Sequence, residues 1–202
     1  VTEVTKNVDN YLTLYPEVSL NLLLSSRTLD LVEEGVDLAI RVGSIPDQNV
    51  IVRRLAQLER VVVASPAYWH THGVPQHPRE LAAHRILNAN HGGEPTRWQF
   101  NERGKTLELA LQPYVDVNDV APLPALAAMD LGVIYVARPL VQRQIDAGEL
   151  VGALEPFIPQ DLWIYAVYTQ RRHNSAALTA LLAFMESEMA RPGSVFSTTK
   201  TY

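Results

Sequence analysis

The chain of 202 residues has no cysteine, which excludes a disulfide scaffold and any zinc or catalytic site that depends on a thiolate. It also lacks the run of roughly 20 apolar residues that a membrane-spanning helix needs. Residues 1–10 carry Glu, Lys and Asp where a signal peptide would have an apolar block. These absences favour a soluble protein of the reducing cytoplasm, without a membrane partner.

Positive charge is sparse and dispersed. The chain has 17 Lys and Arg against 22 Asp and Glu, a net charge of -5, and no basic block. Because binding to nucleic-acid phosphates needs clustered Lys and Arg, we do not expect this segment to hold DNA itself.

Signatures of catalysis and of cofactor binding are also missing. The sequence has no Gly-x-Ser-x-Gly elbow, no Gly-x-Gly-x-x-Gly fingerprint, no phosphate-binding loop and no His-Glu-x-x-His motif. His70 and His72 form a His-x-His pair, but residues two apart on a helix point to different sides, so no metal site is predicted. We therefore expect binding rather than turnover, with no cofactor.

The segment from Leu29 to Gly43 carries the clearest local pattern. It predicts a short helix with its apolar face on Leu29, Leu31, Val32 and Val36, ended by Gly35, and then a strand from Asp37 to Arg41. Val18 to Leu24 alternates and then becomes continuously apolar, which predicts a buried strand. Two strands joined by one helix would form a parallel βαβ unit.

Further elements follow the same reasoning. The patterns predict helices at Thr2–Leu14 and Ala176–Met189, strands at Val61–Ala64, Gly132–Ala137 and Trp163–Tyr168, a meander over residues 97–117, and a helix after Asn118-Asp119 that is capped by these two residues. This path describes an α/β fold of two lobes, with the chain crossing between them twice. We expect lobe I at residues 1–62 and 156–202, and lobe II at residues 63–155.

Candidate ligand-binding residues follow the predicted strands, because open α/β sheets bind ligands beyond the carboxyl ends of their strands. They are Ser25, Ser26, Arg41, Val42, Gly43, Ser65 and Asn118. Four of them have a structural alternative. Ser25 and Ser26 are equally typical of a helix cap, and Ser65 is more typical of a cap than of a ligand contact. Arg41 is able to pair with Asp37 or Asp47, a role that is slightly favoured over a ligand contact.

Three sequence segments together resemble a known family. Tyr15-Pro-Glu-Val-Ser-Leu, the segment from Leu29 to Gly43, and Val62-Val-Ala-Ser-Pro-Ala-Tyr-Trp follow one another as in the effector-binding domain of LysR-type transcriptional regulators. The resemblance runs from about Asn10 to about Met185. It implies a two-lobed fold like that of type 2 periplasmic binding proteins, with a small-molecule effector in the cleft between the lobes.

The resemblance also implies partners. A regulator of this family binds DNA through an N-terminal winged helix-turn-helix domain, which is absent from this sequence, and it forms a homodimer or homotetramer. The first strand of the effector domain and its loop, which contribute to the pocket, are absent as well. The alternative is a solute-binding protein of a transport system, which shares the two-lobed cleft but needs an export signal.

The pocket assignment predicts the effect of two substitutions. Replacing Ser26 or Arg41 with alanine is expected to weaken ligand binding, because each removes a polar contact to the ligand. Titration calorimetry would measure the loss. Unchanged ligand affinity and response in both variants would show that the assignment is wrong.

Overall fold

The computed structural model describes residues 2–25, 30–43, 45, 49–90, 95–169 and 176–191. The chain divides into two compact units. Residues 1–57 and 162–202 form unit 1, and residues 58–161 form unit 2. Unit 2 is therefore an insertion in the sequence of unit 1, and the lobe boundaries given above stay a prediction.

Helices and strands both occur along the described ranges. The strands are β1 (Ala39–Val42), β2 (Ile51–Leu58), β3 (Arg60–Ala64), β4 (Ile86–Ala89), β5 (Arg97–Glu102), β6 (Lys105–Ala110), β7 (Pro113–Val117), β8 (Ile134–Ala137), β9 (Val151–Ala153) and β10 (Leu162–Tyr168). The α-helices are α1 (Thr2–Leu14), α2 (Pro66–His72), α3 (Leu123–Ala128), α4 (Gln142–Asp146) and α5 (Ala176–Ala190). Short 3-10 helices occupy Pro78–Ala83, Arg138–Leu140 and Glu155–Phe157. Among these helices, none combines the length and the apolar character needed to cross a membrane.

Unit 1 contains a three-stranded sheet in the order β1-β10-β2, with β1 antiparallel to β10. Ala166 and Tyr168 of β10 pack against Leu178 and Leu182 of α5. Helix α1 lies against the same helix, where the rings of Tyr11 and Phe184 are 5.1 Å apart. Unit 1 is thus organised around β10 and α5, although the two are far from β1 in sequence.

The predicted strand from Val18 to Leu24 does not form. These residues have no regular structure, and Leu22, Leu23 and Leu24 are 53%, 58% and 71% exposed. A strand needs a neighbour for its backbone N–H and C=O groups. The described residues offer none here, since β1 pairs antiparallel with β10 instead. The predicted parallel βαβ unit is therefore wrong for the described part of the chain.

The predicted helix before β1 is reduced to a single turn. Leu31 to Gly35 form a turn in which Asp30 Oδ1 accepts hydrogen bonds from the Val32 and Glu33 backbone N–H groups, at 2.7 and 3.1 Å. Gly35 ends the turn with φ +66°, as its position in the pattern predicted. Leu29, the predicted start of this helix, lies outside the described residues.

Unit 2 contains a sheet in which one strand runs against the others. β3 is antiparallel to both of its neighbours, β8 and β9. A parallel bridge from Ile86 to Val133 places β4 beside the start of β8, and β7 pairs parallel with β4. The carboxyl ends of β4, β7, β8 and β9 therefore lie at the same edge as the amino end of β3.

Both faces of this sheet are buried. Val61 and Val63 pack with Leu123 and Ala127 of α3 on one face, whereas Val62 packs with Trp69, Trp98 and Phe100 on the other. Strand β3 and helix α2 confirm the prediction of a buried strand followed by a short helix.

The predicted meander over residues 97–117 is only half correct. Strands β5 and β6 form an antiparallel hairpin, but β7 leaves it and pairs parallel with β4. The Asn88 side chain of β4 explains the arrangement. It donates to Thr96 Oγ1 and Asp116 Oδ1, both at 3.0 Å, and accepts from Trp98 Nε1 at 3.1 Å. This amide thus connects β4 to β7 and to the start of β5.

Gly132 lies so close to the backbone of Arg85 that we expect a methyl group at position 132 to destabilise the fold. A Cβ atom at Gly132 would lie 2.3 Å from the carbonyl oxygen of Arg85, which accepts the Val133 N–H at 2.8 Å. We expect Gly132→Ala to lower the free energy of unfolding by about 2 kcal/mol or more. Urea denaturation would measure it.

Gly148→Ala is the matched control. A Cβ atom there meets nothing within 4 Å, although φ is +72°, so only the backbone strain of about 1–2 kcal/mol remains. If Gly132→Ala cost less than Gly148→Ala, the close approach would be contradicted.

Candidate functional site

Several charged and polar residues lie at one edge of the unit 2 sheet, where β3 begins. Glu59 and Arg60 stand at the start of β3, Arg138 follows β8, and Glu155 comes shortly after β9. Asn118 follows β7 at the same edge. Such an edge, at the carboxyl ends of several strands, is where open α/β sheets bind ligands.

A two-pronged ion pair lies at the centre of this edge. Arg138 Nε and Nη2 donate to the two carboxylate oxygens of Glu59, at 2.6 and 3.3 Å. The backbone N–H of Arg138 also donates to the Glu59 carbonyl at 2.8 Å. Because a guanidinium in this geometry uses two donors at once, the pair fixes the orientation of both side chains.

A second ion pair lies beside the first. Arg60 Nη1 donates to Asp161 Oδ1 at 2.5 Å, and the Arg60 guanidinium carbon is 5.8 Å from the centre of the Tyr135 ring. Burial, with a smaller contribution from Asp161, raises the pKa of Tyr135 to about 12, although Arg60 opposes the shift. The Tyr135 hydroxyl donates to the Gln99 carbonyl at 3.0 Å.

A surface pocket opens between these groups. It is lined by the charged residues Glu59, Arg60, Arg138 and Glu155 and by an apolar wall that includes Ile145 and Ile158. All of its lining residues belong to unit 2. The pocket therefore brings charged and apolar groups of unit 2 together.

Asn118, a predicted ligand-binding residue, is exposed where β7 ends. The predicted cap by Asn118 and Asp119 does not form, because α3 begins later and has Pro122 as its N-cap residue. Asp119 Oδ1 instead accepts the Ala121 N–H at 2.8 Å and closes a turn before the helix. Asn118 is thus left facing solvent at the polar edge.

Ser65, also predicted to bind ligand, lies at the opposite edge of the sheet, where β3 ends. Its hydroxyl caps α2 by accepting the Tyr68 N–H at 3.0 Å, and it donates its hydrogen to Asp130 Oδ1. Because β3 runs against β7, the structure does not bring Ser65 and Asn118 together. The cap, which was the structural alternative for Ser65, is what the structure shows.

In unit 1, the structure places Arg41, Val42 and Gly43 together at the carboxyl end of β1. Val42 pairs with Ile164 and is exposed, Arg41 is half-buried, and the Gly43 N–H donates to the Trp163 carbonyl at 3.0 Å. Ser25 is exposed. Ser26 lies outside the described residues, as does Asp47, one of the carboxylates considered as a partner for Arg41.

Sequence reasoning missed Glu59, Arg138 and Glu155. A signal was present, because Glu59 immediately precedes a buried apolar strand and Arg138 immediately follows one. When two strands are antiparallel neighbours, a charged residue just before one strand lies beside a charged residue just after the other. That β3 and β8 are neighbours could not be deduced from their sequences.

The histidines of the described ranges make contacts with neighbouring side chains. Within the described ranges, no group of three or more His, Asp or Glu side chains has the geometry to hold a metal ion. His77 Nε2 lies 2.8 Å from Glu102 Oε1, and this hydrogen bond lowers the pKa of Glu102. Burial, together with the charge of His72, lowers the pKa of His84, which packs on Tyr68 and Trp69.

Comparison with known families gives one extended match. A family model described as the LysR substrate binding domain covers residues 5–190. An uncharacterized HTH-type transcriptional regulator of Haemophilus influenzae is 27% identical over 178 residues, which are 88% of this chain and 62% of that protein. The HTH-type transcriptional activator AaeR of Escherichia coli is 29% identical over 157 residues, 78% of this chain and 51% of that protein.

Solved structures agree with this match. The regulatory domain of CrgA, a LysR-type transcriptional regulator from Neisseria meningitidis, is 26% identical with a TM-score of 0.79, and the match covers 92% of this chain and 91% of that domain. Full-length AphB, a virulence activator from Vibrio cholerae, is 22% identical with a TM-score of 0.77, over 91% of this chain and 62% of AphB. The latter likeness concerns the fold alone. The chain spans roughly half to three-fifths of the two curated relatives.

The raised pKa of Tyr135 predicts a pH dependence. An unfolded tyrosine ionises near its ordinary value of 10.0, whereas folded Tyr135 keeps its proton to about pH 12. Between these values the folded state binds more protons, so stability falls as pH rises from 10 towards 12. We expect tyrosinate absorbance to show a last step near pH 12 that Tyr135→Phe removes. Tyr114→Phe, which alters an exposed ring, should leave the step near pH 12 in place. If this variant lost the step, the assignment of the step to Tyr135 would be contradicted.

Proposed function

Because the chain belongs to the LysR substrate-binding domain family, we propose that it is the ligand-sensing part of a DNA-binding transcriptional regulator. A small-molecule effector binds this domain and changes how the whole protein acts on DNA. The observation that carries the proposal is the family match over residues 5–190, together with a polar sheet edge of the kind that binds ligands.

In this proposal DNA is contacted outside these 202 residues. The net charge of -5 and the dispersed Lys and Arg give no surface for phosphates. The Haemophilus and Escherichia relatives are helix-turn-helix regulators, and the match covers only 62% and 51% of their lengths. We propose that a winged helix-turn-helix domain occupies the corresponding remainder of this protein, which acts in the cytoplasm as a homodimer or homotetramer.

Catalysis has no part in the proposal. The relatives are described as transcriptional regulators, and the sequence has no recognisable catalytic motif. Glu59 and Arg138, the central charged pair of the polar edge, are engaged with each other through both carboxylate oxygens. They support a role in shaping a binding site.

The test uses the full-length gene product. Its affinity for the DNA upstream of its own gene is measured by fluorescence anisotropy, with and without each member of a metabolite panel. We expect at least one compound to change the DNA affinity about fivefold or more. Asn118→Ala should weaken the response to that compound while leaving the effector-free DNA affinity unchanged.

Arg143→Ala, an exposed substitution in α4 that lies neither in the pocket lining nor at the end of a strand, is the control and should respond like the unaltered protein. A full-length product that does not bind DNA would overturn the regulator assignment. A full response in the Asn118→Ala variant would instead remove Asn118 from the site.

A further inference from the structure

We propose that the pocket beside β9 binds a positively charged amino group of the effector, and that Glu155 is the residue that receives it. This inference rests on the proposed function and specifies the chemical class of the ligand.

The Glu155 carboxylate lies over residue 152, in space that is open only because this residue has no side chain. A Cβ atom on Gly152 would lie 2.4 Å from Glu155 Oε1 and 3.6 Å from Glu155 Cδ. Any residue other than glycine at position 152 would therefore displace the carboxylate. Gly152 and Glu155 both line the pocket, so the carboxylate is folded back into it.

The turn that carries Glu155 is fixed in an uncommon conformation. Leu154, which precedes it, has φ +66°, a left-handed conformation that is unfavourable for a leucine. The Leu154 side chain is buried in the core with Trp98 and Phe100. Strain of this kind persists only where the surrounding packing imposes it, so the backbone turn that carries Glu155 is part of the fold.

The balance of charge leaves Glu155 as the group without a counterion. Arg138 is paired with Glu59, and Arg60 is paired with Asp161. Two positive charges thus face two carboxylates, and Glu155 adds a third negative charge. Among the described residues, no side chain forms a hydrogen bond or an ion pair with Glu155, so the pocket and its border carry one net negative charge.

The remaining walls suit the rest of such a ligand. Ile145 and Ile158 contribute apolar groups next to the charged ones. An ammonium group donates three hydrogen bonds and is favoured by a carboxylate acceptor, while a short hydrocarbon chain would lie along the apolar wall. An anionic ligand would meet the net negative charge instead.

Two small probes of similar size and opposite charge test the inference. n-Butylammonium and n-butyrate are titrated separately into the isotopically labelled chain, and the backbone amide signals of Gly152 and Ala153 are followed by NMR. We expect n-butylammonium to shift these signals in a saturable way, and n-butyrate to leave them unchanged at the same concentrations.

Three variants identify the group responsible. Glu155→Gln should weaken n-butylammonium binding about threefold to fivefold, the range for an exposed carboxylate. Gly152→Ala should weaken it to a similar extent without changing any charge, because the new Cβ displaces Oε1. Glu149→Gln, the same substitution at an exposed glutamate outside the pocket lining, should bind like the unaltered chain.

The inference is overturned if n-butyrate binds as tightly as n-butylammonium, if neither probe shifts the signals, or if Glu155→Gln binds as well as the unaltered chain. Equal losses in Glu155→Gln and Glu149→Gln would also overturn it, because they would indicate general charge attraction. None of these results affects the DNA-binding test, so a failure here is distinguishable from a failure of the proposed regulator.

Discussion

The register between β3 and β8 is the constraint on which the polar edge depends. Arg60 pairs with Ala137 and Val63 with Ile134 in an antiparallel ladder, which brings Glu59 next to Arg138 beyond its end. The backbone bond from Arg138 to Glu59 continues the ladder by one step. A shift of one residue would turn each side chain of β3 to the other face and would separate the two charges. The buried valines of β3 thus determine where the charged site forms.

Local sequence was sufficient to predict the elements whose own residues mark them. Helix α1 has the predicted bounds, Thr2 to Leu14. The apolar run of β3 and the Ser65-Pro66 start of α2 gave a buried strand and a capped helix. In each case the determinant is the spacing of apolar residues or a capping hydroxyl, both of which act within a few residues. The family, and with it the α/β fold, was accessible because the order of such segments is itself a pattern.

Features that depend on distant partners were not accessible. Val18 to Leu24 has the composition of a buried strand, but composition does not supply a neighbouring backbone. The alternation in β7 is compatible with a meander, yet the Asn88 amide connects Asp116 of β7 to β4. Ser65 and Asn118 both follow strands, but the directions of β3 and β7 place them at opposite edges of the sheet. Strand direction and pairing are long-range properties, and they decide which residues share a site.

The contact between Ser65 and Asp130 means that this protein carries its own anion at the start of α2. The carboxylate of Asp130 receives the Ser65 hydroxyl at the helix end, where a free anion would otherwise be attracted. Because it is part of the same chain, the Asp130 carboxylate has an effective concentration at this helix end of roughly millimolar or above. A sulfate or phosphate ion that approached this helix end would therefore meet an internal carboxylate. At the opposite edge, Glu59 and Asp161 occupy Arg138 and Arg60 in the same way, so an external anion would meet internal carboxylates at both edges of the sheet.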